Sequence, residues 1–135
     1  MTAIATRPLS DSTDSLLRFA LRLDATLTGF LGLGIAAMAD PMAGLTGLTA
    51  VQEYIVGAAF VLYGLGLYAL AAMPDVRRVG IALAVSNTAG TVGFVAVATA
   101  GVLPLTGAGV AVACAFATYT AVFAVLQYLG VRRLA

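Results

Sequence analysis

Asp24 is the side chain with the clearest capacity for chemistry. It stands in the segment LRLDATLTGF, inside an apolar run, where an ionisable group is costly enough to mark a functional position. Arg22, two positions earlier, points away from it on an ideal helix. A neutralising partner must then come from another segment, and Arg77 or Arg78 is expected to supply it. Three readings follow: an interfacial ion pair that fixes helix packing, a proton or cation site, or an exposed carboxylate at the membrane boundary. Asn87 falls eight residues into the third apolar run, about 12 Å deep at 1.5 Å per residue. With Ser86, Thr88, Thr26, Thr28 and Gln127 it makes a polar cluster that serves either as hydrogen-bond glue between helices or as a vestibule for a polar ligand. Gln52 and Glu53 open the second run near Asp40. They form an acidic group suited to capping and solvation, or to attracting cations at an entrance. Tyr63 and Tyr119 lie deep enough that each hydroxyl needs a partner. Tyr54, Tyr68 and Tyr128 fall where an aromatic belt would anchor the chain, and Cys114 reads as a small packing residue.

The inventory removes most other chemistry. The 135 residues contain no His, no Trp, a single Cys and seven basic residues, all of them Arg. Structural zinc, His-ligated haem, Ser-His-Asp hydrolysis, an intrachain disulfide and a Schiff-base lysine are therefore excluded. No catalytic, metal or cofactor site is expected, and the protein reads as a non-enzyme. Gly29-x-x-Gly32-x-Gly34 lies within an apolar run and follows no strand, so it is a packing element and not a phosphate loop. The few arginines are split among three places, which gives nucleic-acid binding no support.

The elements that position these residues follow from composition. With 61% hydrophobic and 10% charged residues and a mean hydropathy of +1.04, there is too little polar surface to cover a soluble body of this size. Pro8, Pro41, Pro74 and Pro104 recur at intervals of 33, 33 and 30 residues, each long enough for one membrane crossing and a turn. The prediction is an all-α, four-helix transmembrane bundle with spans over 16–39, 51–73, 79–100 and 106–129. A loose tail over 1–14 precedes a single domain over 15–131, and 132–135 form the C-terminus. Asp11 or Ser12 is the expected N-cap of the first span. A secretory signal is the competing reading of that span, because Ala37-Met38-Ala39 before Asp40 has a small-x-small pattern.

All seven arginines (Arg7, Arg18, Arg22, Arg77, Arg78, Arg132 and Arg133) fall at the chain ends or in the second connection. The positive-inside rule then predicts an up-down-up-down bundle in the cell membrane with both termini cytoplasmic, and Asp40, Glu53 and the Pro104 turn outside. Helices in lipid associate through close backbone approach. Gly109, Ala113, Ala117 and Ala121 recur every four residues as a small-residue stripe, with weaker sets at Gly29/Gly32/Ala36 and Ala82/Ser86/Gly90. Such faces serve either the bundle itself or a docked partner.

Leu21-Arg22-Leu23-Asp24-Ala25, Gly29, Gly32-Leu33, Tyr63-Gly64, Asn87 and Leu126-Gln127-x-x-Gly130-x-Arg132-Arg133 together resemble a group of small actinobacterial four-span integral membrane proteins of uncharacterised function. The resemblance implies architecture and little about activity. A looser similarity to small multidrug transporters rests on four short spans and a carboxylate in the first. Against it, Asp24 reads as lying near the boundary, and without Trp an aromatic-rich chamber is not expected. The first functional expectation is therefore a non-catalytic accessory or scaffold subunit, surrounded by lipid and packed in a homo-oligomer or larger membrane complex. The alternative is a small proton- or cation-coupled transporter or channel using Asp24 with Asn87 and Gln127.

Overall fold

A computed structural model describes residues 13–134, so the expected N-cap at Asp11 or Ser12 lies outside the described residues. Five helices and no strand occur among them: α1 (Ser15–Ala37), α2 (Ala39–Thr46), α3 (Ala50–Ala71), α4 (Val76–Thr99) and α5 (Gly107–Arg132). All but α2 are long and apolar enough to cross a membrane, which makes the chain a multi-pass membrane protein by length and composition. Each of the four spans begins or ends within a few residues of its expected limits.

Local chemistry sets the helix starts. Thr49 and Gln52 form a reciprocal capping box at α3, Thr106 accepts from the Gly109 N–H at α5, and Asp75 caps α4. Satisfying these N–H groups matters because the first turn of a helix leaves them without intrahelical partners.

The four long helices pair as α1 with α3 and α4 with α5, and the pairs join mainly through α1 and α5. Glycine governs the first pairing. A Cβ on Gly32 would stand 2.6 Å from the Gly57 carbonyl oxygen, one on Gly57 would stand 2.7 Å from the Ala36 nitrogen, and one on Gly64 would stand 2.7 Å from the Ala25 carbonyl oxygen. Backbone therefore rests on backbone along this seam. Arg18 ties the start of α1 to the end of α3. It pairs with Asp14 at 2.7 Å and donates to the carbonyls of Ala71 at 2.7 Å and Met73 at 3.1 Å.

Of the α5 stripe, Gly109, Ala113 and Ala117 are buried inside the chain, with Gly109 against the backbone of Thr46, and Ala121 is half-buried. The α4 stripe behaves otherwise. Ala82 and Ser86 are exposed, and the buried face runs through Val76, Val79, Gly80, Leu83 and Asn87 instead. The helix is turned by about one residue relative to the small-residue set because Asn87 must bury its amide against partners. Cys114, expected to pack, is exposed on the outer surface.

The short helix α2 was not expected. It lies over the ends of α3 and α5 remote from the chain termini, and Gly47, in the left-handed region at φ 86°, turns the chain out of it. Glu53 is consequently buried beneath α2, accepting from the Thr46 hydroxyl at 2.5 Å. Gln52 serves the capping box while Asp40 is exposed on α2. The three do not form an open acidic entrance.

Candidate functional site

Asp24 is 1% exposed. It lies nine residues beyond the first residue of α1, about 13 Å along the helix axis, and is therefore well inside the span and not at its boundary. Four side chains from three helices converge on its carboxylate. Oδ1 accepts from the Thr28 hydroxyl at 3.0 Å and the Tyr119 hydroxyl at 3.0 Å. Oδ2 accepts from the Asn87 amide at 3.2 Å and the Gln127 amide at 3.0 Å. Asn87 also donates to Gln127 Oε1 at 2.9 Å, and the Thr28 and Tyr119 hydroxyls meet at 2.8 Å.

Helix periodicity brings these groups together. Asp24 and Thr28 are one turn apart on α1, and Tyr119, Phe123 and Gln127 recur every four residues on one face of α5. Asp24 sits between the levels of Tyr119 and Gln127, and the Tyr119 and Phe123 rings stack with centroids 4.7 Å apart. The close approach of Gly64 to Ala25 holds the Asp24 segment against α3.

All four donors are neutral. Neither Arg77 nor Arg78 reaches the site: both are exposed at the start of α4, and Arg78 pairs with Asp75 at 3.1 Å. The expected interhelical ion pair is replaced by a hydrogen-bonded shell. The first turn of α4, which carries both arginines, is too far along the bundle axis from Asp24. Of the expected polar cluster, Asn87, Thr28 and Gln127 are at the carboxylate. Thr88 instead bonds the Ala84 carbonyl, and Thr26 bonds Tyr68 and the Arg22 carbonyl.

Asp24 faces a partly open cavity of about 330 Å³ lined by all four long helices, at the lower end of the ~300–1,000 Å³ common for ligand sites. Its walls carry Phe60, Tyr63, Phe94, Phe116 and Tyr119, five of the eleven tyrosines and phenylalanines of the chain. An aromatic-lined chamber is thus present without any Trp. Phe116 meets Phe60 edge to face at 5.3 Å and Phe94 at 5.4 Å, closing the end nearer α2. Toward the chain termini an apolar cluster of Leu17, Leu21, Leu67, Val76, Val79 and Leu83 closes the other end.

Such an arrangement can hold charge without water. A carboxylate offers about four acceptor positions, and here each oxygen takes two donors. Hydrogen bonds to a charged group contribute roughly 1.5–3 kcal/mol each, against a desolvation penalty of several kcal/mol per buried ion. The shell offsets much of that penalty yet brings no positive charge.

Sequence reasoning placed Tyr119 deep and in need of a partner but did not connect it to Asp24. The joint spacing of Asp24/Thr28 and Tyr119/Phe123/Gln127 carried that signal. Among the described residues no group of three His, Cys, Asp or Glu side chains is placed to hold a metal ion. Comparison with models of protein families, with curated proteins and with solved structures finds no match to this chain.

Proposed function

We propose that this protein is a small membrane carrier in which Asp24 is the charge-bearing group, moving a proton or another cation with Asn87 and Gln127 as its polar partners. The observation that carries the reading is a carboxylate buried in a span, ringed by neutral donors and facing a cavity. An intramembrane acid without a cationic partner is the arrangement expected of a translocation site. Flux measured in liposomes holding the purified protein tests it. Asp24→Asn is expected to abolish proton or alkali-cation flux, and wild-type flux in that variant, or flux of neither ion in the wild type, overturns the reading.

The carrier sits in the cell membrane as an up-down-up-down bundle with both termini cytoplasmic. The arginine distribution supports this orientation, since Arg18, Arg22, Arg77, Arg78, Arg132 and Arg133 gather at one end of the long helices while Asp40 and Glu53 occupy the other.

The accessory-subunit reading has a separate support. An outward apolar groove between α4 and α5, at Val85, Ala89, Val92 and Val125, is the kind of face that a second membrane helix would cover. The α5 stripe does not add to it, because Gly109, Ala113 and Ala117 are buried within the chain itself. A partner retained through purification in native detergent would favour that role over a carrier.

A further inference from the structure

We propose, independently of the carrier reading, that the outward groove between α4 and α5 is a site for one anionic phospholipid. Arg77 and Arg132 hold its phosphodiester, and its acyl chain lies along Val85, Val92 and Val125.

The register of the two helices places these arginines together. The Thr91 and Thr120 hydroxyls meet at 2.8 Å, and a Cβ on Gly80 would stand 2.7 Å from a methyl of Val131. Eleven residues separate Gly80 from Thr91, and eleven separate Thr120 from Val131, so both contacts fix one antiparallel register. In that register Arg132 stands level with Val79, two residues from Arg77 and about 3 Å from it along the axis. On α4, Arg77, Ala84, Thr88 and Val92 share one face, as Val125, Tyr128 and Arg132 do on α5. Both arginines therefore stand at one end of the groove that the other five residues line. The Arg132 guanidinium lies over the Tyr128 ring at 5.8 Å, which keeps it at that end. Thr88 turns its hydroxyl to the Ala84 carbonyl, so the groove below stays apolar.

Charge decides the occupant. At this end Asp14 pairs with Arg18 and Asp75 with Arg78, whereas Arg77 and Arg132 are exposed and make no ion pair among the described residues. A second copy of the chain in the same orientation would bring the same arginines against them. In the opposite orientation it would bring residues 100–106, which carry no charge. A phospholipid brings a phosphate, which guanidinium groups bind with paired hydrogen bonds, and an apolar chain beneath it. The length agrees as well. From Arg77 to Val92 the helix rises about 22 Å, half of a bilayer of about 40–45 Å with its headgroups, which is the depth of one lipid.

Native mass spectrometry of the full chain, incubated in micelles with phosphatidylglycerol or phosphatidylcholine of identical acyl chains, tests the assignment. One retained phosphatidylglycerol per chain is expected, at a concentration at least tenfold below that needed for phosphatidylcholine. Arg77→Gln with Arg132→Gln should erase the preference. Arg78→Gln with Arg133→Gln, an equal loss of charge beside the site, should leave it intact. Ala89→Phe, which fills the groove, should weaken phosphatidylglycerol binding at least fivefold. All five side chains are exposed, so the variants leave the buried packing unaltered. Equal retention of the two lipids, or equal loss of preference in the two double variants, overturns the proposal. Competition by glycerol phosphate as strong as that by the lipid overturns it in favour of a free phosphate. A dimer that phosphatidylglycerol does not displace and Ala89→Phe dissociates overturns it in favour of a second copy.

Discussion

The Tyr119 hydroxyl donates to Asp24 Oδ1 at 3.0 Å across 95 residues of chain. This contact joins α5 to α1 at the floor of the cavity, where the Thr28 hydroxyl meets both groups. The three side chains form a closed triangle, so their contributions are expected to be coupled. Tyr119→Phe and Thr28→Val should each destabilise the bundle by about 1 kcal/mol. The double variant should depart from additivity by about 0.6 kcal/mol, the mean reported for hydrogen-bond pairs in membranes. Reversible unfolding in mixed micelles measures all four corners of the cycle, and strict additivity would show that the two hydroxyls act independently.

The α1–α3 seam should be intolerant of side chains. A Cβ on Gly57 would approach the Ala36 nitrogen and the Gly32 carbonyl oxygen at 2.7 Å, whereas one on Gly66 would meet nothing within 4 Å. Gly57→Val is expected to cost about 1–3 kcal/mol, the range for overpacking, and Gly66→Ala to be close to neutral. Thermal unfolding in detergent separates the two.

The legible and illegible parts of this molecule divide along the range of the interaction. The four spans are legible because each apolar run and its flanking Pro, Thr or Asp are local, and because lipid forces every backbone group into helices. Helix α2 is not, because eight residues containing Pro41 and Gly44 form a helix only by lying over Glu53, Thr106 and Gly109. Asp24 is legible as an anomaly, and Asn87 and Gln127 as polar residues at depth. Their convergence depends on which helices become neighbours, and that is decided by glycine contacts such as Gly64 on Ala25 and Gly130 on Leu17. The expectation of an arginine partner fails for the same reason, since charge complementarity on paper says nothing about axial level. The aromatic chamber is likewise assembled from α3, α4 and α5, each contributing only one or two rings.

Arg18 should matter more than the arginines first suspected. Its guanidinium holds the Ala71 and Met73 carbonyls, which the end of α3 leaves without intrahelical partners. Arg18→Ala is expected to cost about 1–2 kcal/mol, while Arg77→Ala and Arg78→Ala, on exposed side chains, should change stability little. Chemical unfolding of the three variants under one set of conditions tests the ranking.

Glu53 should act as a latch for α2. The Thr46 hydroxyl donates to it at 2.5 Å, and Thr106 bonds the neighbouring Leu45 carbonyl. Glu53→Leu is expected to raise amide hydrogen exchange across residues 39–47 while leaving the interiors of α1 and α5 protected. Glu53→Gln, which keeps an acceptor oxygen, should lie nearer the wild type.

The most direct test of Asp24 as the charge-bearing group of a carrier is modification by dicyclohexylcarbodiimide, an apolar reagent that reaches carboxyl groups from the bilayer. Labelling is read by mass spectrometry of the intact protein and its fragments, and proton or alkali-cation flux is followed in the same liposomes. The account predicts a label on Asp24 and a loss of flux in step with it. No label on Asp24, or labelling that leaves flux unchanged, would contradict a working carrier site and leave the carboxylate as a sealed structural contact.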